Sequence, residues 1–434
     1  MRARVILRTV EKPSSLFRVA NTGPDGESVT ESGQPGYAPA IDERGSCYME
    51  SANKNGAQGI EAGQRLGRLK ALLDFDPDNT HLARECIETA LQAGDFGFVV
   101  GQADKVLARL PGDVQGLFDR ASGLMGLRDY KGAAEALVQV LARAPQISAA
   151  RLNLGLCHYC QGDYPAAREV LSREYSAGDR SAAVLRLLVS SCHHLGLLDE
   201  AIELMEANPQ AAQADADLAG VYALVCLDTN RAAAAERWAG SALAGNPDSL
   251  DGLVVQGTLN SLQTHIRQAK GQFERALQIA PATGRAWIGL GTLALLENDY
   301  PRAKELLTRG LEYMPGHLGS WHILAWTHLL SQDLDAAQAV LQHALSLDRN
   351  FSETHGALAS IEAMRGNVAA AQRGIDVALR LDPKCLSAQF ARSMIVRRSG
   401  SAADAQKIIA DTLLEFSRSR GALVSRLIGR ATRH

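Results

Sequence analysis

The chain holds 434 residues, of which 46% are apolar, 21% charged and 5% aromatic, and its formal net charge is −3. That length suits two to four domains or one elongated array, and a composition led by Ala and Leu favours helix over sheet. The acidic balance argues against a nucleic-acid scaffold, which displaces counterions with a basic surface, and no apolar run approaches the length that spans a bilayer.

The first twenty residues carry Arg2, Arg4, Arg8, Lys12 and Arg18 against Glu11. Their apolar stretch, residues 5–7, is too short for a secretory signal. The segment loosely resembles an Arg-rich transit sequence and reads as a basic, disordered arm. Residues 21–63 are polar and Gly-rich, the composition of a linker, so residues 1–62 are expected to form a disordered N-terminal segment. A lone helix is expected next, in EAGQRLGRLKALLDFDPD (61–78). The seven cysteines are scattered and odd in number, which makes no disulfide framework and fits a reducing cytoplasm.

From here the prolines set the organisation. Pro77, Pro111 and Pro145 are 34 residues apart, and Pro247, Pro281, Pro315 and Pro383 fall on the same lattice. A period of that size indicates a solenoid of stacked supersecondary units. With the lattice proline at position 32, repeats begin at Thr80, Val114, Ser148, Ala182, Ala216, Leu250, Gly284, Leu318, Ser352 and Leu386. Position 20 is Val99 in the first repeat and alanine in all that follow, from Ala133 to Ala405. Position 8 is small in most repeats, as at Ala121, Gly155, Gly257, Gly291 and Ala325.

Apolar residues at positions 4, 7, 8 and 11, then at 20, 24 and 27, predict two helices, A and B. The stretches AGDF (93–96), QGDY (161–164) and ENDY (297–300) between them predict a turn. Its Gly or Asn would take positive φ, and its Asp would accept the first amides of helix B. Small residues at 8 and 20 predict a close crossing, and the proline ends helix B because it has no donor and clashes with the preceding turn.

The segment GRAWIGLGTLALLENDYPRAKELLTRGLEYMPGH, with Trp287, Leu290, Gly291, Ala303, Leu307 and Pro315, resembles the tetratricopeptide repeat (TPR). The resemblance covers about residues 80–419. It implies an all-α fold, an α-α superhelix of about ten helix–turn–helix repeats spanning 63–419, with a basic capping tail at 420–434. The repeats from Ala182, Ala216 and Leu386 are degenerate, and Gln213 and Ser417 replace the proline at the ends of two of them, so irregularity is expected there.

The family resemblance implies a non-enzymatic scaffold whose A helices line a concave groove at positions 2, 5, 9, 12 and 13. Those positions carry Arg285, Ile288, Thr292, Leu295 and Leu296; then His322, Trp326, Leu329 and Leu330; then Glu353, Ser360 and Met364; then Phe390, Met394, Arg397 and Arg398. Leucines at 12 and 13 in two neighbouring repeats predict an exposed apolar strip with Trp326 as its anchor, unless the strip packs against the next repeat or the chain's own tail. A protein or peptide partner is expected, with no cofactor, no nucleic acid and no catalytic motif. The alternative is an accessory subunit of a larger secretion, envelope or regulatory assembly. The Lys and Asn set of chaperone-binding TPRs is missing, and of the Asn ladder of sugar-transferase arrays only Asn153 matches.

The stretch CHYC (157–160) raises a metal-dependent reading, with Cys160, His193 and His194 as candidate ligands. Against it, Cys160, His194 and Asp228 share one position in successive repeats. Helices packed about 8–10 Å apart do not bring such a row within the 2.0–2.3 Å that zinc requires, so no metal is expected and Cys157 and Cys192 read as small core residues. At the C-terminus, Arg418, Arg420, Arg426, Arg430 and Arg433 beside Leu423, Val424, Leu427 and Ile428 predict a solvating cap, with contact to a membrane surface or an acidic partner as the alternative.

Overall fold

The computed structural model describes residues 56–420, together with a two-residue antiparallel ladder that sets Ala40 opposite Tyr48 and Ile41 opposite Cys47. The rest of the expected N-terminal arm and the capping tail beyond Arg420 lie outside the described residues. Twenty-two helices follow one another from Gly56–Phe75 to Ala402–Arg420, and the ladder is the one piece of strand among the described residues.

The ten A helices begin where the 34-residue lattice places them, from Thr80–Ala93, Val114–Gly126 and Ser148–Cys160 through to Ser352–Arg365 and Leu386–Arg398. Their B partners are mostly 14 residues long, as in Phe96–Arg109, Tyr130–Arg143 and Tyr300–Tyr313. Contacts divide the chain into two compact units, Met1–Thr229 with Ser241–Ser249, and Asn230–Gly240 with Leu250–His434.

One turn recurs in all ten repeats. The residue at position 15 takes positive φ whether it is Gly94, Gly162, Gly196, Gly366 and Gly400, or Arg128, Asn230, Thr264, Asn298 and Gln332. The next residue closes the turn: Asp95, Asp129, Asp163, Asp299 and Asp333 each accept the amide three residues on, from Phe98, Gly132, Ala166, Arg302 and Ala336. The aspartates therefore satisfy donors that a helix start leaves open. Glycine adopts the left-handed region freely, whereas Arg128, Thr264 and Gln332 are held there by the helices on either side.

The crossing of A on B is as tight as the small residues predict. Every position-20 alanine from Ala133 to Ala371 is buried. A Cβ on Gly155, Gly257 or Gly291 would lie 2.7 Å from Leu171, Phe273 or Leu307, so position 8 of helix A meets position 24 of helix B. A second bond ties four of the A helices to the loop before them. Trp287 Nε1 and Trp321 Nε1 donate to the carbonyls of Pro281 and Pro315, both at 2.8 Å, and His355 Nε2 donates to that of Arg349 at 2.8 Å. Arg151 bonds the carbonyl of Pro145 in the same way.

The irregularity expected near Gln213 is present, and its cause lies four residues earlier. Pro209 ends the B helix Leu198–Ala207, and a six-residue helix, Pro209–Ala214, replaces its last turns. Asn208, at the break, donates to Tyr175 Oη at 2.9 Å and to the carbonyl of Leu204 at 2.8 Å. Where Ser417 stands in place of the proline, the helix runs on to Arg420.

Thr264 is β-branched and sits at φ 66°. Thr264→Gly should stabilise the fold by about 1 kcal/mol, because the left-handed conformation costs non-Gly residues about that much. Chemical denaturation monitored by far-UV circular dichroism checks this, and an unchanged or lower midpoint would contradict it.

Candidate functional site

The candidate groove residues of the second compact unit sit on four successive A helices, Gly284–Leu296, Leu318–Leu330, Ser352–Arg365 and Leu386–Arg398. The expected exposed strip of leucines is corrected by the structure. Leu295 is 1% exposed, Leu296 9% and Leu329 4%, so these side chains face neighbouring helices rather than solvent. Leu329 belongs to a core with Ala325, Ala337, Leu341, Ala357 and Ile361, drawn from two repeats. Ile288, Thr292, His322 and Phe390 are buried as well.

What remains reachable is narrower. Arg285, Trp326, Leu330, Met364 and Met394 are partly buried and Arg397 is exposed. Trp326 is the hinge of this set. Its ring meets Phe390 edge-on, with centroids 5.3 Å apart. Trp326 packs with Met364 on the Leu329 core, and with Met394 and Ile409 on Leu386 and Phe390. The structure thus gathers Trp326, Met364, Phe390 and Met394, whereas Arg285, Leu330 and Arg397 stand outside these two clusters. Ile409 and Leu386 join them without having been singled out in the sequence. The available signal was the apolar spacing of the last helix, Ala402–Arg420.

Three expected groove residues serve the fold instead. Glu353 reaches the next repeat and accepts the amides of Leu386 at 2.8 Å and Ser387 at 3.0 Å, capping a helix whose own N-cap residue, Cys385, gives it no side-chain cap. Ser360 is buried and donates to the carbonyls of Gly356 and Ser387. His322 bonds Thr354 Oγ1 through Nε2 at 2.9 Å and meets Phe351 edge-on. Burial lowers its pKa to about 4, opposed by the nearby Glu353 carboxylate, so this imidazole is neutral at physiological pH.

In the first compact unit the residues considered for a metal turn to separate partners, and Cys160 is disulfide-bonded, which corrects the expectation that the cysteines stay unpaired and removes its thiolate as a ligand. His193 Nε2 lies 2.7 Å from Asp228 Oδ2, while His194 Nε2 lies 3.0 Å from Tyr159 Oη and its ring stacks on Tyr164 at 4.2 Å. No group of three or more His, Cys, Asp or Glu is placed to hold an ion among the described residues. Cys157 and Cys192 are buried free thiols, and desolvation pushes both up to about 12, far from the thiolate a metal needs. Asp119 is buried against Gln115, whose Nε2 donates to it at 2.7 Å, and desolvation raises its pKa to about 7. At the same position one repeat on, Asn153 is buried with neither amide atom hydrogen-bonded. No described helix is long and apolar enough to cross a membrane.

Sequence models of the tetratricopeptide repeat match residues 118–182, 161–216 and 263–312, and a second such model matches 318–351. No curated protein matches the chain. Among solved structures, yeast Tom70 is similar at 15% identity over 88% of this chain and 94% of its own, with a TM-score of 0.35. PilF of Pseudomonas aeruginosa is similar at 15% identity over 49% and 95%, with a TM-score of 0.37. YrrB, described as a TPR protein with an unusual peptide-binding site, is similar at 16% identity over 45% and 98%, with a TM-score of 0.31.

The two buried titratable groups predict opposite pH dependences. His322 has a folded pKa near 4, below its ordinary 6.5, so the unfolded chain takes the proton first and stability falls as pH drops from about 6.5 to 4. The loss is on the order of 2–3 kcal/mol, and His322→Asn should remove it in denaturation series across that window. Asp119 has a folded pKa near 7 against 3.8, so its cost grows as pH rises from about 4 to 7. Asp119→Asn should therefore stabilise the protein at pH 8, by on the order of 2–4 kcal/mol, with no gain at pH 4. Equal gains at both pH values would show that ionisation is not the cause.

Proposed function

Because the chain is a tetratricopeptide-repeat protein, we propose that it is a non-enzymatic interaction scaffold. The proposed docking ridge is the one centred on Trp326, which takes a peptide or helical segment of a protein partner. The observation that carries this reading is the convergence of Trp326, Met364 and Met394, from three successive A helices, on one patch that the fold leaves partly uncovered. A tryptophan with a rigid neighbour is a strong anchor. Methionines adapt to the shape laid on them at little cost.

Leu330, Arg285 and Arg397 flank the patch in this reading. Arg397, exposed in the last turn of its helix, favours a partner segment with an acidic residue beside its apolar face. The buried residues Ile288, Thr292, Leu295, Leu296, His322, Leu329 and Phe390 support the ridge from beneath rather than touching the partner. The proposal also sets the protein in the cytoplasm, which suits the buried free thiols Cys86, Cys157, Cys192, Cys226 and Cys385, whereas the disulfide-bonded Cys160 argues for an oxidising compartment.

Selection of peptides from a displayed library on the full chain tests the ridge. Selected peptides should lose binding at least about tenfold, or 1.4 kcal/mol, with Met394→Glu, while far-UV circular dichroism is unchanged. Leu347→Glu, on a B helix away from the ridge, should bind as the native chain does. Equal affinity for the native and Met394→Glu proteins would remove the ridge as the site.

A further inference from the structure

The chain carries seven cysteines. Cys86, Cys157, Cys192, Cys226 and Cys385 are buried free thiols, and Cys160 is disulfide-bonded. Within one chain that leaves Cys47 to hold the other half of the bond. The two cysteines of the CHYC stretch are therefore in different states, and their surroundings give the reason. Cys157 is buried in the array, among the residues by which the helix Ser148–Cys160 packs on its neighbours. Cys160 lies one turn on, ends the helix and is half-buried, next to the left-handed turn at Gly162. A segment from outside the array can reach a sulfur at Cys160 but not one at Cys157. Burial also pushes the Cys157 thiol up to about 12. It stays protonated, so the thiol closest in sequence to the bond does not attack it.

We propose that Cys47 and Cys160 form a reducible tether, which fastens the ladder of Ala40–Ile41 and Cys47–Tyr48 to the edge of the first compact unit until a dithiol reductant frees it. Both cysteines belong to that unit. A disulfide holds the two Cα atoms within about 7 Å, which sets the ladder beside the end of the Ser148–Cys160 helix. The ladder itself is short, with two residue pairs. A lone two-stranded ladder is marginally stable at best in water, so a covalent anchor at Cys47 supplies support that its own pairing lacks. The edge it meets is built of rings: Tyr159 meets Tyr164 edge-on at 5.3 Å, and Tyr164 stacks on His194 at 4.2 Å. Cys160 stands at position 13, a groove position of the repeat, so opening the bond uncovers this ring cluster at the groove edge. The exchange balances with the reductant alone. One thiolate of the dithiol attacks a sulfur of the bond, and the other cysteine leaves as a thiol. The second thiol then displaces the mixed disulfide, leaving both cysteines reduced and the dithiol oxidised by two electrons.

The full chain, purified without reductant, tests this directly. Iodoacetamide under denaturing conditions should label the five free cysteines and spare Cys47 and Cys160, and non-reducing peptide mapping should recover their two peptides joined. Trypsin cuts after Arg44 and Lys54, on either side of Cys47, and the peptide between them should stay on the array until dithiothreitol releases it. Reduction should also speed cleavage after Arg44 about tenfold or more, as when a site held closed becomes open, with far-UV circular dichroism unchanged. Cys47→Ser, a change outside the helical array, should give the fast cleavage without reductant, and Cys160→Ser should reproduce it. Labelling of all seven cysteines overturns the proposal. A bond that joins two chains, seen as a dimer lost on reduction, overturns it too, as does a Cys47–Cys160 bond whose reduction leaves cleavage after Arg44 unchanged. Met394→Glu alters none of these readings, so the tether and the docking ridge fail separately.

Discussion

Where helices A and B of a repeat cross, alanine fills position 20 and position 8 is so small that a Cβ on Gly155, Gly257 or Gly291 would press to 2.7 Å on the side chain opposite. That approach sets the rest of the array. It brings Leu171, Phe273 and Leu307 into contact with helix A backbone, where dispersion is strongest. It also fixes the angle at which each pair meets the next. An added methyl group at the crossing would cost about 1–3 kcal/mol through overpacking, and because each repeat contacts chiefly its neighbours, the strain would stay local.

A crossing this tight leaves little room in the connection, and the turn is correspondingly stereotyped. Position 15 is left-handed in all ten repeats, and in five of them the following aspartate closes the start of helix B. The packing imposes that conformation on Arg128, Thr264 and Gln332, which do not favour it. At the other end of four repeats the loop carbonyl is held by a donor at position 4, be it tryptophan, histidine or arginine. Different side chains thus serve one geometric need.

The same economy explains the shape of the candidate site. Glu353 caps a helix of the next repeat, His322 is locked neutral against Thr354, and Ser360 bonds the following repeat. Side chains that family resemblance assigns to a groove are spent on joining repeats. The surface left over is a ridge of one tryptophan and two methionines, adaptable in shape and flanked by an arginine. At the opposite end of the chain the first helix has no A helix to cover it among the described residues, and Leu72 stays exposed there.

The lattice of prolines and alanines was enough to place all ten A helices, the left-handed turn and the aspartate caps, because these depend on period and on local chemistry. Pro209 illustrates the limit of that reading: the break it causes was anticipated at Gln213, since a mark on the lattice was weighed above a proline off it. Burial at positions 12 and 13 was out of reach. Leu295, Leu296 and Leu329 occupy groove positions in the repeat, yet whether a groove position faces solvent depends on how closely the next A helix lies, which no single repeat encodes. The contact of Trp326 with Phe390 spans two repeats, and the exposure of Leu72 depends on no A helix lying beside it among the described residues. Periodicity determined the elements and their pairing; the tertiary structure alone decided which side chains remained uncovered, because exposure belongs to neighbours brought together from distant parts of the chain.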